Sequence, residues 1–127
     1  MNWIWVAFGG MLGCTSRYAV VQCVNYFISN PLELPFGTIT VNIIGCFVIG
    51  LLTALFTIKA TGIRPELQLF LVVGFLGGFT TFSSFGLEIF TLLKHHPWVA
   101  LLDVVIQLVF GLLGVAGGFA LGRLLVH

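Results

Sequence analysis

Few side chains in this sequence can do chemistry, and those that can are set in apolar surroundings. Asn42 stands inside Gly37-Thr38-Ile39-Thr40-Val41-Asn42-Ile43-Ile44-Gly45, where Thr38, Asn42 and Gly45 fall on one helical stripe. An amide so placed has two uses. It can hydrogen-bond to another helix, worth about 0.6 kcal/mol on average in a membrane, or it can offer its NH₂ as a neutral donor to a dehydrated anion. Further along, Gly77-Gly78-Phe79-Thr80-Thr81-Phe82-Ser83-Ser84-Phe85 puts Phe82 and Phe85 on one helix face, flanked by Ser83 and Ser84. Aromatic rings carry a positive edge, so two rings turned edge-on can receive a small anion without a formal charge. Apolar packing is their commoner use. No Lys or Arg stands near the centre of the second, third or fourth apolar run. A conducted ion must leave as readily as it enters, which weak neutral donors permit and a buried cation does not.

The other polar residues are scattered. Arg17 either snorkels to an interface or lines a wet vestibule where it concentrates anions. Glu88, Asp103 and Gln107 interrupt apolar runs, and Glu88 is a candidate to pair with Arg17. His95-His96 reads as a solvated loop pair. Cys14, Cys23 and Cys46 are odd in number and lack Cys-x-x-Cys or Cys/His spacing, which argues against a disulfide framework and against zinc. They read as small buried apolar residues. With no nucleophile–base pair and no metal-ligand spacing, an enzyme is the least favoured class.

The elements that must position these residues are membrane helices. The chain has 127 residues, 59% hydrophobic and 7% charged, with a formal net charge of +1. Soluble domains carry roughly 25% charged residues, so this composition belongs in a bilayer. Nothing in the charge points to nucleic acid. Four apolar stretches, about 3–28, 37–58, 67–93 and 99–126, each exceed the ~20 residues a spanning helix needs. They predict an all-α fold, one four-helix transmembrane domain over 1–127 with both termini on one side. Turn chemistry separates them at Asn30-Pro31 with Pro35, at Lys59 to Pro65, and at Lys94 to Pro97. Met1-Asn2-Trp3 has neither a basic stretch before the first run nor a cleavage site after it, so that run reads as a retained helix.

The third stretch is too long and too polar in the middle. At ~1.5 Å per residue it would measure about 40 Å if continuous, against a core of ~30 Å. Three glycines followed by two β-branched threonines are poor helix interior, which predicts an unwound turn near Gly77 to Thr81 at mid-membrane. Thr81 is a candidate N-cap for the second half. Carbonyls freed there can bind a small cation, or hydroxyls and neighbouring helices can close the kink.

Positive charge hardly biases the orientation. Lys59, Arg64 and Arg123 lie toward one side, Lys94 and Arg17 toward the other. Weak single topology and dual topology, with copies inserted both ways, both fit. Gly9-x-x-x-Gly13 and Gly114-x-x-x-Gly118-x-x-x-Gly122 make flat faces for close packing, within one subunit or between two.

Three motifs in order resemble the Fluc (CrcB) family of bacterial fluoride channels across essentially the whole chain. They are Gly10-x-x-Gly13-Cys14-x-x-Arg17-Tyr18, Gly37-Thr38-x-x-Val41-Asn42-x-x-Gly45, and Gly77-Gly78-x-Thr80-Thr81-Phe82-Ser83-Ser84-Phe85. The resemblance implies a multi-pass protein of the bacterial inner (plasma) membrane, an antiparallel dual-topology homodimer with two pores. It implies a fluoride-selective passive channel that exports fluoride from the cytoplasm and lowers its toxicity. Phe82 and Phe85 would present ring edges to fluoride, with Asn42, Thr81, Ser83 and Ser84 along the path and Arg17 toward a vestibule. Gly77 and Thr80 would offer backbone carbonyls to one structural sodium ion shared by the two subunits. Cys14 stands where the family usually has Ala, and Ser84 where Thr is common. The fourth run offers only Asp103 and Gln107 in place of hydroxyl residues, which puts a fourth-helix contribution in doubt.

Two rival readings make different demands. A small multidrug exporter is also four-span and dual-topology, but needs a membrane-embedded carboxylate in the first span, where this chain has Arg17 and no acid. A non-transporting subunit of a larger complex accounts for the glycine faces but not for the clustering of Asn42, Thr80, Thr81, Ser83 and Ser84.

Overall fold

The computed structural model describes residues 1–29, 32–58 and 64–126. Asn30-Pro31 and Lys59, which the sequence assigns to turns, lie outside the described residues. Helices α1 (Trp3–Phe27) and α2 (Phe36–Ile58) are followed by a segmented third span and by α6 (Pro97–Val126). The third span is built from α3 (Pro65–Gln68), a π-helical stretch Leu69–Leu76, α4 (Gly77–Phe79) and α5 (Phe82–His95). Among the described residues there is no strand, and four helical spans are long and apolar enough to cross a membrane. Trp3, Tyr26 and Trp98 lie exposed near helix ends, where amphipathic rings favour a membrane–water interface.

Backbone contact between helices follows the glycines. α1 lies against the first half of the third span, where Gly9 and Gly13 meet the backbone of Phe70 and Phe75, and Gly74 in turn meets Val6 and Gly9. α2 lies against α6, with Gly50 on Val115 and Gly118 on Phe47. Gly122 meets Leu51 and Ala54. Both glycine motifs are therefore used inside one chain. Lipid tails are as apolar as leucine, so close approach and dispersion, not water exclusion, hold such helices together.

The third span changes its winding as it crosses. A π-helical turn closes its hydrogen bonds one residue further on than an α-turn, and such turns are rare and short elsewhere. After Phe79 the helix stops. Thr80 (φ −86°, ψ 161°) and Thr81 (φ −150°, ψ 118°) are extended, a shorter stretch than the Gly77–Thr81 turn that the composition suggests. Thr80 closes the first half by donating both its N–H and its Oγ1 hydrogen to the Leu76 carbonyl, at 3.0 and 2.9 Å. Thr81 opens the second half, its Oγ1 accepting from the Ser84 N–H at 3.2 Å. That bond satisfies one of the donors that any helix start leaves free.

Two expectations fail. Cys14 and Cys23 are exposed on the chain's outer face and Cys46 is half-buried, because a four-helix unit leaves most of each helix at its periphery. Glu88 does not pair with Arg17: it accepts from Thr38, and Arg17 reaches the Thr80 carbonyl. At the α5–α6 corner His96 lies 3.8 Å from Glu33, both largely exposed. Among the described residues no group of three His, Cys, Asp or Glu side chains could hold a metal ion.

Candidate functional site

Where the third span is interrupted, its backbone must find partners elsewhere, and Asn42 supplies them. The Thr81 N–H, which a continuous helix would direct at the Gly77 carbonyl, donates instead to Asn42 Oδ1 at 2.9 Å. Asn42 Nδ2 donates to the Thr81 carbonyl at 3.2 Å and to Gln107 Oε1 at 2.7 Å. Gln107 Nε2 donates to Asp103 Oδ1 at 2.9 Å. Asn42 thus ties α2 to the interruption and to α6 at once. The plainer use of this amide, bonding to other helices, is the one the side chain adopts here, and both of its hydrogens are engaged.

One turn along, a second polar level repeats the arrangement. Thr38 Oγ1 donates to Glu88 Oε1 at 2.6 Å, and Asp103 is fully buried. Glu88 Oε2 and Asp103 Oδ2 are buried without a partner among the described residues. Thr38 and Asn42 on α2, and Asp103 and Gln107 on α6, are each four residues apart, so each pair shares a face. Gln107 was not singled out as a site residue by sequence reasoning. Its matching spacing with Asp103 was the available signal, but nothing in the sequence says which face of α6 meets α2.

The other sequence-predicted residues gather at the same place. Asn42, Gly77, Thr80, Thr81, Phe82 and Phe85 all line an open groove of about 380 Å³, together with Gln107. The rings of Phe82 and Phe85 are 5.6 Å apart, tilted 42° to each other. Phe82 is 83% exposed. Ser84 receives a hydrogen bond from Thr81 Oγ1 at 3.1 Å, and Ser83 Oγ lies 3.4 Å from the same hydroxyl. Arg17 Nη1 points at the Thr80 carbonyl from α1, at 3.5 Å. Gly77 is exposed, and a methyl group added there would meet nothing within 4 Å.

The groove brings amide, hydroxyl and aromatic side chains together in one place. It holds no nucleophile–base pair. A family model described as CrcB-like protein, Camphor Resistance (CrcB), matches residues 4–119. The chain belongs to the CrcB family. It is 38% identical over 126 residues to the fluoride-specific ion channel FluC of Maridesulfovibrio salexigens, with 98% of each chain covered. It is 40% identical over 121 residues to the protein of the same name from Helicobacter acinonychis, covering 94% of each. A third such relative, from Helicobacter pylori, is 40% identical over 126 residues, covering 97% of this chain and 95% of the relative. The CrcB match takes in every groove residue and reaches into all four spans, and this CrcB chain is a multi-pass membrane protein.

Proposed function

We propose that the chain is a fluoride-selective passive channel of the inner membrane that lets fluoride leave the cytoplasm and so lowers its toxicity. The relatives are fluoride-specific ion channels by name, so the protein is a channel and not an enzyme. The observation that carries the reading is the groove itself, in which Phe82 and Phe85 lie beside an uncharged hydrogen-bonding line through Thr81, Asn42 and Gln107. Fluoride moves past the ring edges of Phe82 and Phe85 and exchanges hydrogen bonds with Asn42, Thr81, Ser83 and Ser84. No fixed buried cation holds it there. Arg17, at the margin of the groove, draws anions from a wet vestibule.

Hydrogen-bonding groups set in a mostly apolar groove open at the side of a membrane protein need a protein cover, since hydrocarbon cannot satisfy them. A second, antiparallel copy provides that cover, giving a dual-topology homodimer with two pores. The interruption at Thr80–Thr81 then lies at mid-membrane. The carbonyls around it fit a sodium ion between the copies: the Gly77 carbonyl has lost the Thr81 N–H to Asn42, belongs to an exposed residue that lines the groove, and is uncharged, like the carbonyl sets that hold sodium in transporters. The Arg17 contact at Thr80 leaves that oxygen a second lone pair. Gly77 and Thr80 would hold the ion from each copy, and bound there it supplies structural cross-linking.

The decisive experiment is efflux from fluoride-loaded liposomes, followed with a fluoride electrode and repeated with chloride. The wild-type chain releases fluoride rapidly and chloride far more slowly, and Phe82→Ile, which keeps bulk but removes the ring edge, strongly slows fluoride release. A well-folded preparation that releases neither ion sinks the channel reading and favours the subunit of a larger complex. For sodium, replacing it by potassium or by a large organic cation lowers the melting temperature of the solubilised dimer, by about 2–4 °C per kcal/mol of binding lost. A melting curve indifferent to the cation removes the sodium site.

A further inference from the structure

Two amides meet on this path, and an amide looks nearly the same from either end. Its direction is set by what it faces. Asp103 Oδ1 offers lone pairs to Gln107, so the Gln107 NH₂ turns toward it and Oε1 turns toward Asn42. The Thr81 N–H can only donate, so Asn42 Oδ1 turns toward it and the NH₂ turns toward Gln107. The two constraints agree: the bonds linking Thr81, Asn42, Gln107 and Asp103 run toward Asp103, and only the second hydrogen of Asn42 turns back, to the Thr81 carbonyl. Asp103 is 0% exposed, and its other oxygen has no partner among the described residues. A buried carboxyl with half its capacity unmet costs stability, which a merely structural residue at that position has no reason to bear.

Building on the fluoride reading, we propose that Asp103 is a positioning residue that acts through Gln107. Together they are the fourth helix's contribution to the path. Gln107 clamps one hydrogen of Asn42 at 2.7 Å and leaves the other, at 3.2 Å from the Thr81 carbonyl, as the one that fluoride takes over. Gln107 also lines the groove, and its Nε2 carries a second hydrogen beyond the one given to Asp103, a further neutral donor to the anion. Without Asp103, Gln107 can reverse. Its NH₂ then faces the NH₂ of Asn42, and the amide that fluoride needs is no longer held.

A double-mutant cycle in reconstituted protein tests this, with fluoride efflux as the readout and size-exclusion chromatography as the check on assembly. Asp103→Leu and Gln107→Leu should each slow efflux by roughly 10–100-fold, the usual cost of removing a partner that orients a ligand. Asp103→Asn, whose amide oxygen still accepts, should rescue most of the loss. In an Asn42→Ser background, where the Asn42 amide is no longer there to be held, the cost of Asp103→Leu should shrink to what Gln107's own donor supplies. Wild-type efflux in Asp103→Leu overturns the proposal, as does a cost that persists undiminished beside Asn42→Ser. If the leucine variant aggregates, Gln107→Met carries the same comparison. A wild-type chain without efflux overturns the channel reading itself, whereas normal wild-type efflux with an indifferent Asp103→Leu removes only the positioning role.

Discussion

Asn42→Asp should abolish most fluoride efflux, by a hundredfold or more, while the protein still assembles. The substitution keeps the shape and keeps the acceptor for the Thr81 N–H, so the interruption in the third span retains its closest tie to α2. It removes both donated hydrogen bonds and sets a carboxylate against two acceptors, the Thr81 carbonyl and Gln107 Oε1. A hydrogen bond to a charged group is worth about 1.5–3 kcal/mol, which alone slows passage of an anion by roughly one to two orders of magnitude. Repulsion adds more: two unit charges ~4 Å apart interact by about 4 kcal/mol at an effective dielectric of ~20. Charge therefore outweighs the lost donor, and the variant should be worse than Asn42→Ser, which lacks the amide but adds no charge. Electrode-recorded efflux from liposomes ranks the three proteins. Rapid efflux from a dimeric Asn42→Asp would take Asn42 off the path.

Gly13→Val should prevent the fold from forming, whatever the channel conducts. A Cβ at Gly13 would run into the Phe75 carbonyl and lie 2.9 Å from its carbon and 3.0 Å from the Phe79 nitrogen. All three are backbone atoms, which cannot swing aside as the end of a flexible side chain can. Forcing extra volume into a packed interface costs about 1–3 kcal/mol even where neighbours relax. Here α1 would have to leave the third span, and no hydrophobic drive pulls it back in lipid. Gly86→Ala is the matched control, because nothing lies within 4 Å of an added methyl there and alanine is the better helix former by about 1 kcal/mol. Thermal unfolding and monodispersity of the two variants should diverge sharply. A Gly13→Val protein that melts like the wild type would show that α1 does not pack through this glycine.

The membrane class, the four spans and the polar residues at the heart of the groove were legible in the sequence. A run of apolar residues longer than the hydrocarbon core has one stable solution, a helix with its backbone internally bonded. An amide and a cluster of hydroxyls inside such runs are costly enough to need one another, which is why Asn42, Thr81, Ser83 and Ser84 stood out before any geometry. Other features were ambiguous for equally physical reasons. Small residues make a flat face but do not name what lies on it, and only the packing shows Gly13 against Phe75 and Gly118 against Phe47. The cysteines were read as buried because apolar residues are buried in water-soluble cores, yet in a thin bundle an apolar side chain is at ease on the outside.

By itself, then, the sequence determined that this chain spans a bilayer four times and carries an uncharged cluster of hydroxyl and amide side chains inside its apolar runs. Length and polarity are properties of each segment alone, so they survive without a partner. The tertiary structure decided which donor faces which acceptor: that Thr81 gives its N–H to Asn42, that Gln107 stands between Asn42 and a buried Asp103, and that Glu88 answers Thr38 instead of Arg17. Those pairings depend on the rotation of α2, α5 and α6 about their own axes. For α2 and α6 that rotation is set by the close glycine contacts between helices that lie far apart in the chain.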